Sequence, residues 1–197
     1  MSPTRLFAWV AFILPLAASK VSAEEPKPHF RAPEGVTFRV TDIFSEGTRM
    51  SAEIFAPKDS EGKPLPTIVM SHGWGGTAEA LRPFRITFAK AGYHVITFDY
   101  RGWAKSDSRL ILTGARPREK DGKVIAEVKE VREVVDPIDQ TAYIMNAIHW
   151  AAADKQCDPE RIGIWGSSYS GGHVVYVAAR DPRVKAFDSQ VGAMDSR

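Results

Sequence analysis

From residue 36 onward, two hydrophobic periodicities alternate along the chain. Apolar and polar residues alternate over 36–41 and 51–56, which predicts two half-buried strands with Glu46-Gly47 in the turn between them. After a loop at 59–66, the apolar run 67–70 predicts a buried strand that ends in Ser71-His72-Gly73-Trp74-Gly75-Gly76. Helical spacing follows through Leu81, Phe84, Phe88 and Ala91, with Gly92 as the stop and Pro83 tolerated in the first turn. A second buried strand, 94–98, ends in Asp99-Tyr100-Arg101-Gly102. Pro137 opens a helix through Ile138, Ala142, Met145, Ile148 and Ala152, capped by Asp136. Asp158-Pro159 is expected to break the chain before the next strand. That strand runs into Gly166-Ser167-Ser168-Tyr169-Ser170-Gly171-Gly172 and then a helix continuing through 174–179. Asp181-Pro182 ends the helix, and 184–191 reads as a last strand.

Two opening strands followed by strand–helix alternation predict an α/β fold: a mostly parallel sheet with helices on both faces. The stretch from 103 to 135 is longer than an ordinary connection. Its Asp121-Gly122 pair signals a hairpin turn, with a strand expected at 124–128; a charged helix over 123–135 is the rival reading. In open parallel sheets, sites form at the carboxyl ends of strands. The loops 72–76, 99–102 and 166–171 should therefore converge.

The N-terminal segment stands apart. Arg5 precedes a 13-residue apolar run, 6–18, and Val21-Ser22-Ala23 offers a small-residue cleavage site. This reads as a signal peptide over 1–23, directing secretion or periplasmic export with cleavage after Ala23, since a membrane span needs about 20 apolar residues. Residues 24–35, with three prolines, read as a linker before a single domain over 36–197. Without Arg5 and Lys20 the chain carries 24 basic and 24 acidic residues, so the excess of +2 disappears and nothing points to nucleic acid or an anionic membrane. Cys157 is the single cysteine, which excludes an internal disulfide and a thiolate metal site.

A short apolar strand, a knot of Gly and Ser and an immediate helix read as a nucleophile elbow, in which a serine occupies a sharp strand-to-helix turn. Crowding in that turn demands small residues two before and two or three after the serine. Ser168 has Gly166, Ser170 and Gly171 at those positions. Ser167 would place Trp165 in the crowded position, and Ser170 would fall within the helix, so Ser168 is the expected nucleophile. Acyl transfer builds negative charge on a carbonyl oxygen, which fixed N–H donors stabilise. The Tyr169 amide at the helix start is one candidate donor, and the Trp74 amide in the glycine-rich loop is the other. Asp99 and Arg101 are expected to brace their loop.

Together, His72-Gly73-x-Gly75-Gly76, Asp99-Tyr100-Arg101-Gly102 and Gly166-x-Ser168-Tyr169-x-Gly171 resemble the α/β-hydrolase fold over residues 36–191. Gly-x-Ser-Tyr-x-Gly and Val134-Val135-Asp136-Pro137-Ile138-Asp139-Gln140 are similar to the X-prolyl dipeptidyl peptidase and cocaine esterase group. A tyrosine hydroxyl commonly lines the oxyanion hole there. Trp74 lacks one, so the main-chain arrangement of dienelactone hydrolases fits better. The resemblance implies a triad ordered Ser, acid, His. No histidine follows His173, which is expected to point away from Ser168; His72 is expected to brace its loop, and His29, His94 and His149 are remote. Asp195, after the last strand, is the weak acid candidate, ahead of mid-strand Asp188. The base is therefore expected to be absent, and the chain reads as the N-terminal two-thirds of the fold, lacking its last strands and helices. Three functions fit: a serine hydrolase of ester, amide or peptide substrates, inactive or weakly active as it stands; a binding protein that keeps the pocket without turnover; or an enzyme completed by a partner chain. The resemblance implies no cofactor or metal. The last strand is expected to be an exposed edge that favours oligomers or aggregates.

Overall fold

The computed structural model describes residues 30–60 and 62–195; the proposed signal segment and the first half of the linker, His29 included, lie outside them. Along the described chain run β1 (Val36–Ser45), β2 (Thr48–Pro57), β3 (Leu65–Ser71), α1 (Arg82–Lys90), β4 (His94–Phe98), β5 (Arg109–Leu112), β6 (Val128–Val131), α2 (Pro137–Ala153), β7 (Cys157–Ser167), α3 (Tyr169–Ala178) and β8 (Val184–Gln190). Six strands form one sheet in the order β1-β2-β4-β3-β7-β8. The β1–β2 and β2–β4 pairs are antiparallel, and β4–β3, β3–β7 and β7–β8 are parallel.

This order decides where the helices go. Parallel crossovers are right-handed. The step from β3 to β4 moves one way across the sheet, while the steps from β4 to β7 and from β7 to β8 move the other way. Hence α1 covers one face, and α2 and α3 share the opposite one. Alternation along β2 agrees: Ala52 and Ile54 join the core that holds Ile144, Ile148 and Val174, whereas the Glu53 side chain is paired with Arg85 of α1. Ile144, Ala147, Ile148 and Ala151 are all fully buried on one stripe of α2. Burial of each large aliphatic side chain contributes about 1.5–3 kcal/mol. At the start of α2, the Asp136 carboxylate accepts from the Ile138 and Asp139 amides at 2.9 and 3.2 Å, and Pro137 occupies a position needing no N–H donor.

Several boundaries depart from the sequence reading. The first two strands extend to a two-residue turn in which Glu46 and Gly47 have φ of 49° and 76°, the twist-matched hairpin geometry. The helix expected through Leu81, Phe84, Phe88 and Ala91 is preceded by a 3₁₀ turn at Ala78–Leu81, which takes in Leu81, and α1 follows. Asp158-Pro159 does not precede the elbow strand but lies within β7. The register steps from Leu65↔Cys157 to Thr67↔Ile162, so 158–161 face Pro66 alone, and this irregularity accommodates a proline that cannot donate to the ladder. Arg85 is the largest surprise. Fully buried, it pairs with Glu53, donates to Thr97 and stacks over Phe55 at 4.6 Å.

The 103–135 segment folds as a hairpin rather than a helix. β5 and β6 pair antiparallel, with Asp121 and Gly122 at positive φ and a bridge between Lys120 and Lys123 near the tip. Its second strand is 128–131, not 124–128. At the base, Gly102 lets the chain close tightly: a β-carbon there would lie 2.9 Å from the Val131 carbonyl oxygen.

Candidate active site

β7 turns into α3 at Ser168, whose φ of 56° and ψ of −124° fall in a region that L-residues rarely adopt. Backbone strain of this kind costs about 1–3 kcal/mol and persists only where the surroundings enforce it. Four contacts do so. The Ser168 amide donates to the Gln190 carbonyl at 2.8 Å, the Gly171 and Ala193 amides donate to the Ser168 carbonyl at 2.9 and 3.1 Å, and Ser189 Oγ donates to the Gly171 carbonyl at 2.9 Å. Thus the end of β8 and the residues after it clamp the elbow, leaving the Ser168 side chain exposed.

Two of the small residues read from the sequence, Gly166 and Gly171, are required by contact, and Gly172 joins them. A β-carbon on Gly166 would lie 2.4 Å from the Ser170 carbonyl oxygen, one on Gly171 2.5 Å from Gly192 Cα, and one on Gly172 2.2 Å from the Ala193 carbonyl oxygen. The other serines differ from Ser168. Ser170 lies within α3, fully buried, and its hydroxyl bonds to Ser71 Oγ and accepts from the Tyr100 hydroxyl at 3.1 Å. Ser167 is the last residue of β7, in register with Gln190 of β8. The buried Ser71–Ser170–Tyr100 hydroxyl chain, which ties α3 to β3 and the loop after β4, was not anticipated. Burial pushes the Tyr100 phenol up to about 12, so it acts as a neutral hydrogen-bonding group.

The loop after β3 meets the elbow directly. A β-carbon on Gly73 would stand 2.9 Å from Ser168 Cβ, so only glycine permits this approach. The Trp74 side chain is largely exposed and meets the Tyr169 ring edge-on, with centroids 5.5 Å apart. Among the described residues, neither the Trp74 amide nor the Tyr169 amide donates to another backbone carbonyl.

Bracing of this loop comes from His72 and Asp99. The buried His72 ring stacks on Tyr100 at 4.3 Å; its Nδ1 donates to the Gly73 carbonyl at 3.0 Å and its Nε2 accepts from the Tyr100 amide at 3.5 Å. Those bonds occupy both ring nitrogens, and burial lowers the ring's basicity further, so His72 has no lone pair to offer a serine. One Asp99 oxygen accepts from the Ala78 amide at 2.7 Å, and the other from the Lys105 amide at 3.3 Å. Burial raises the Asp99 pKa. Arg101 pairs with Glu46 at 2.9 Å and lies over the Tyr143 ring.

The remaining described histidines stand elsewhere. His94 is buried in the sheet against Thr67, and burial pushes it down to about 4; His149 contacts Arg183 from α2. His173 does not turn out to solvent: its ring packs on Tyr169 at 4.8 Å, and neither nitrogen has a hydrogen-bond partner. None of these rings is hydrogen-bonded to Ser168. Asp195 does lie near the elbow, lining with Trp74, Tyr169 and His173 a cavity of about 650 Å³. Asp188 sits mid-strand opposite Trp165 and accepts from the Gln190 side chain. Among the described residues, no group of three His, Cys, Asp or Glu side chains converges as a metal site would require. No described helix is long and apolar enough to cross a membrane.

Comparison with known proteins agrees with this fold. A family model described as X-Pro dipeptidyl-peptidase (S15 family) matches residues 46–197. An uncharacterized 31.7 kDa protein of the traX-finO intergenic region of Escherichia coli is 38% identical over 159 residues, 80% of this chain and 46% of that protein. The quorum-quenching protein AidA of Acinetobacter baumannii is 32% identical over 161 residues, 81% of this chain and 44% of that protein. The chain therefore spans under half the length of the curated relatives it matches. Among solved structures, hypothetical protein PA2218 of Pseudomonas aeruginosa superposes with a TM-score of 0.64 at 25% identity, over 80% of this chain and 43% of that one. A putative dienelactone hydrolase of Klebsiella pneumoniae superposes at 0.59 and 24% identity, over 80% and 60%, and shares the fold.

Proposed function

The chain belongs to the X-Pro dipeptidyl-peptidase (S15) family of α/β-hydrolases, and from that premise we propose that it is the nucleophile-bearing part of a secreted serine hydrolase. The observation that carries this reading is the Ser168 backbone, held at φ 56° with its side chain exposed and pressed against Gly73 of the facing loop. In the first step, a base removes the Ser168 proton as Oγ attacks an ester or amide carbonyl. The Trp74 and Tyr169 amides receive the developing oxyanion, and the α3 dipole assists at its N-terminus. The leaving alcohol or amine departs with a proton, and water then cleaves the acyl-enzyme to release the acid and restore the serine. Asp195, beside the elbow, is the acid candidate.

A second reading has its own support: with no described histidine bonded to Ser168, the chain would bind substrate without turning it over. The two separate on p-nitrophenyl acetate. Alone, the chain should hydrolyse it several orders of magnitude more slowly than a complete esterase, because loss of one triad member has that cost. A rate normal for an esterase, abolished in Ser168→Ala, would reveal a base within this chain. Binding of esters that persists without turnover once a late acid and histidine are supplied would favour the second reading.

A further inference from the structure

Two peptide amides that share one oxyanion must hold a fixed spacing, since each has to reach the same oxygen at about 2.7–3.1 Å. The Trp74 and Tyr169 amides donate to no backbone carbonyl among the described residues, so their own bonds do not set that spacing. Trp74 follows Ser71, the last residue of β3, by three positions, and Tyr169 directly precedes Ser170 in the first turn of α3. The Ser71 and Ser170 hydroxyls are bonded to each other, and that bond joins the two amide-bearing segments.

Tyr100 completes the link. Its hydroxyl donates to Ser170 Oγ at 3.1 Å. Its amide donates at 3.5 Å to Nε2 of His72, whose Nδ1 holds the Gly73 carbonyl at 3.0 Å. One residue thus braces both segments, the α3 turn with its phenol and the Trp74 loop with its main chain. The hydroxyls also run in one direction. Burial keeps the proton on the phenol, and the Trp165 carbonyl, which Ser71 Oγ reaches at 3.5 Å, can only accept. Tyr100 therefore donates to Ser170, Ser170 to Ser71, and Ser71 to β7. All three side chains are at most 1% exposed, so none of them touches substrate. We propose that Tyr100, Ser170 and Ser71 are positioning residues of the oxyanion hole, and that their hydroxyl chain sets the spacing between the Trp74 and Tyr169 amides. The proposal rests on the reading of those amides as the oxyanion donors of Ser168. A fully satisfied buried network suits this task, because its bonds rigidify the groups they join and specify one arrangement of them.

An enzyme that lacks one triad member keeps residual catalysis from its oxyanion hole and binding, so slow p-nitrophenyl acetate hydrolysis by the chain as it stands reads the hole itself. Tyr100→Phe removes one hydroxyl oxygen and Ser71→Ala another. Each should lower kcat about threefold with KM unchanged, the scale of one hydrogen bond rather than of a lost oxyanion donor. The double variant should also lose about threefold rather than about ninefold, because a chain cut once no longer holds the spacing. Ile148→Val, which loosens the core under α2 instead, should lower stability and leave kcat as it is. The ¹⁵N–¹H resonances of the Trp74 and Tyr169 amides give a readout free of turnover: both should move in Tyr100→Phe and stay in Ile148→Val. An unchanged kcat in the single variants, losses that multiply in the double variant, an equal loss in Ile148→Val, or unmoved Trp74 and Tyr169 resonances in Tyr100→Phe would overturn the positioning role. Failure of Ser168 as nucleophile would show differently, as a wild-type rate that persists in Ser168→Ala, and the amide resonances would then decide the role of the hydroxyl chain.

Discussion

Two glycines three residues apart on β7 should respond oppositely to the same added methyl group. At Gly166 a β-carbon would lie 2.4 Å from the Ser170 carbonyl oxygen and 2.8 Å from Val174 Cγ1. The first neighbour is backbone of the first turn of α3 and cannot rotate aside, so Gly166→Ala must push α3 away from β7. Overpacking of this kind costs about 1–3 kcal/mol. At Gly163 the nearest atom, the Ala186 carbonyl oxygen, would stand 3.5 Å away in ordinary contact. Gly163→Ala should therefore stabilise slightly, by about 0.5–1 kcal/mol, because alanine loses less backbone entropy in a strand. The two variants should thus differ by roughly 1.5–4 kcal/mol. With an m-value of about 2 kcal/mol/M, their urea midpoints should lie about 1–2 M apart, with Gly163→Ala higher. Coincident midpoints, or the reverse order, would refute the account of a turn whose close packing requires glycine.

Other consequences follow from the buried polar groups and the open edge. Burial opposes the Glu53 charge, but the Arg82 hydrogen bond and the Arg85 charge outweigh it and hold the carboxyl below its ordinary pKa. Its contribution is present above the ordinary glutamate value of 4.5 and lost as pH falls through the lowered folded-state value. Glu53→Gln, which strands Arg85, should cost about 3–5 kcal/mol at pH 7 and flatten that acid limb in pH-dependent urea melts. His94 and His173, both pushed down to about 4, resist protons that the unfolded chain takes up near its ordinary 6.5. Stability should therefore begin to fall below pH 6.5 and continue to fall to about 4, and His94→Asn should reduce the slope in that window. Ser170→Ala should cost about 0.5–1.5 kcal/mol, measured by the same melts, through loss of its bonds to Ser71 and Tyr100. The β8 edge, with Phe187 half-exposed, should make the chain self-associate on size-exclusion columns in proportion to concentration, and Phe187→Lys should reduce this.

Much of the framework was legible because it rests on local signals. The buried strand 94–98 and the start of α2 at Pro137 follow from apolar runs and a side-chain cap, and both are local properties of sequence. The crowding around Ser168 could be inferred from Gly166 and Gly171, since a sharp turn limits side-chain size whatever surrounds it. What remained hidden depends on distant segments. Arg85 of α1 is buried because Glu53, on β2, offers a counter-charge, and helical spacing alone places an arginine in solvent. The Ser71–Ser170–Tyr100 chain joins residues up to 99 positions apart. The clamp on Ser168 by Gln190 and Ala193 exists only once β8 lies beside β7, and Gly192 gives no local hint of it. His173 was expected to point away from Ser168, and no hydrogen bond joins the two. Its position in the helix is as read, but the direction of its ring is set by Tyr169 and Tyr100, which the periodicity does not convey.

The most direct test of the central claim is to graft this chain onto a C-terminal half of the same fold that carries the late Asp and His, and measure p-nitrophenyl acetate hydrolysis in three serine variants. Ser168→Ala should abolish turnover, while Ser167→Ala and Ser170→Ala should retain much of it. Full activity in Ser168→Ala, or loss confined to Ser167→Ala or Ser170→Ala, would contradict the assignment of Ser168 as the nucleophile.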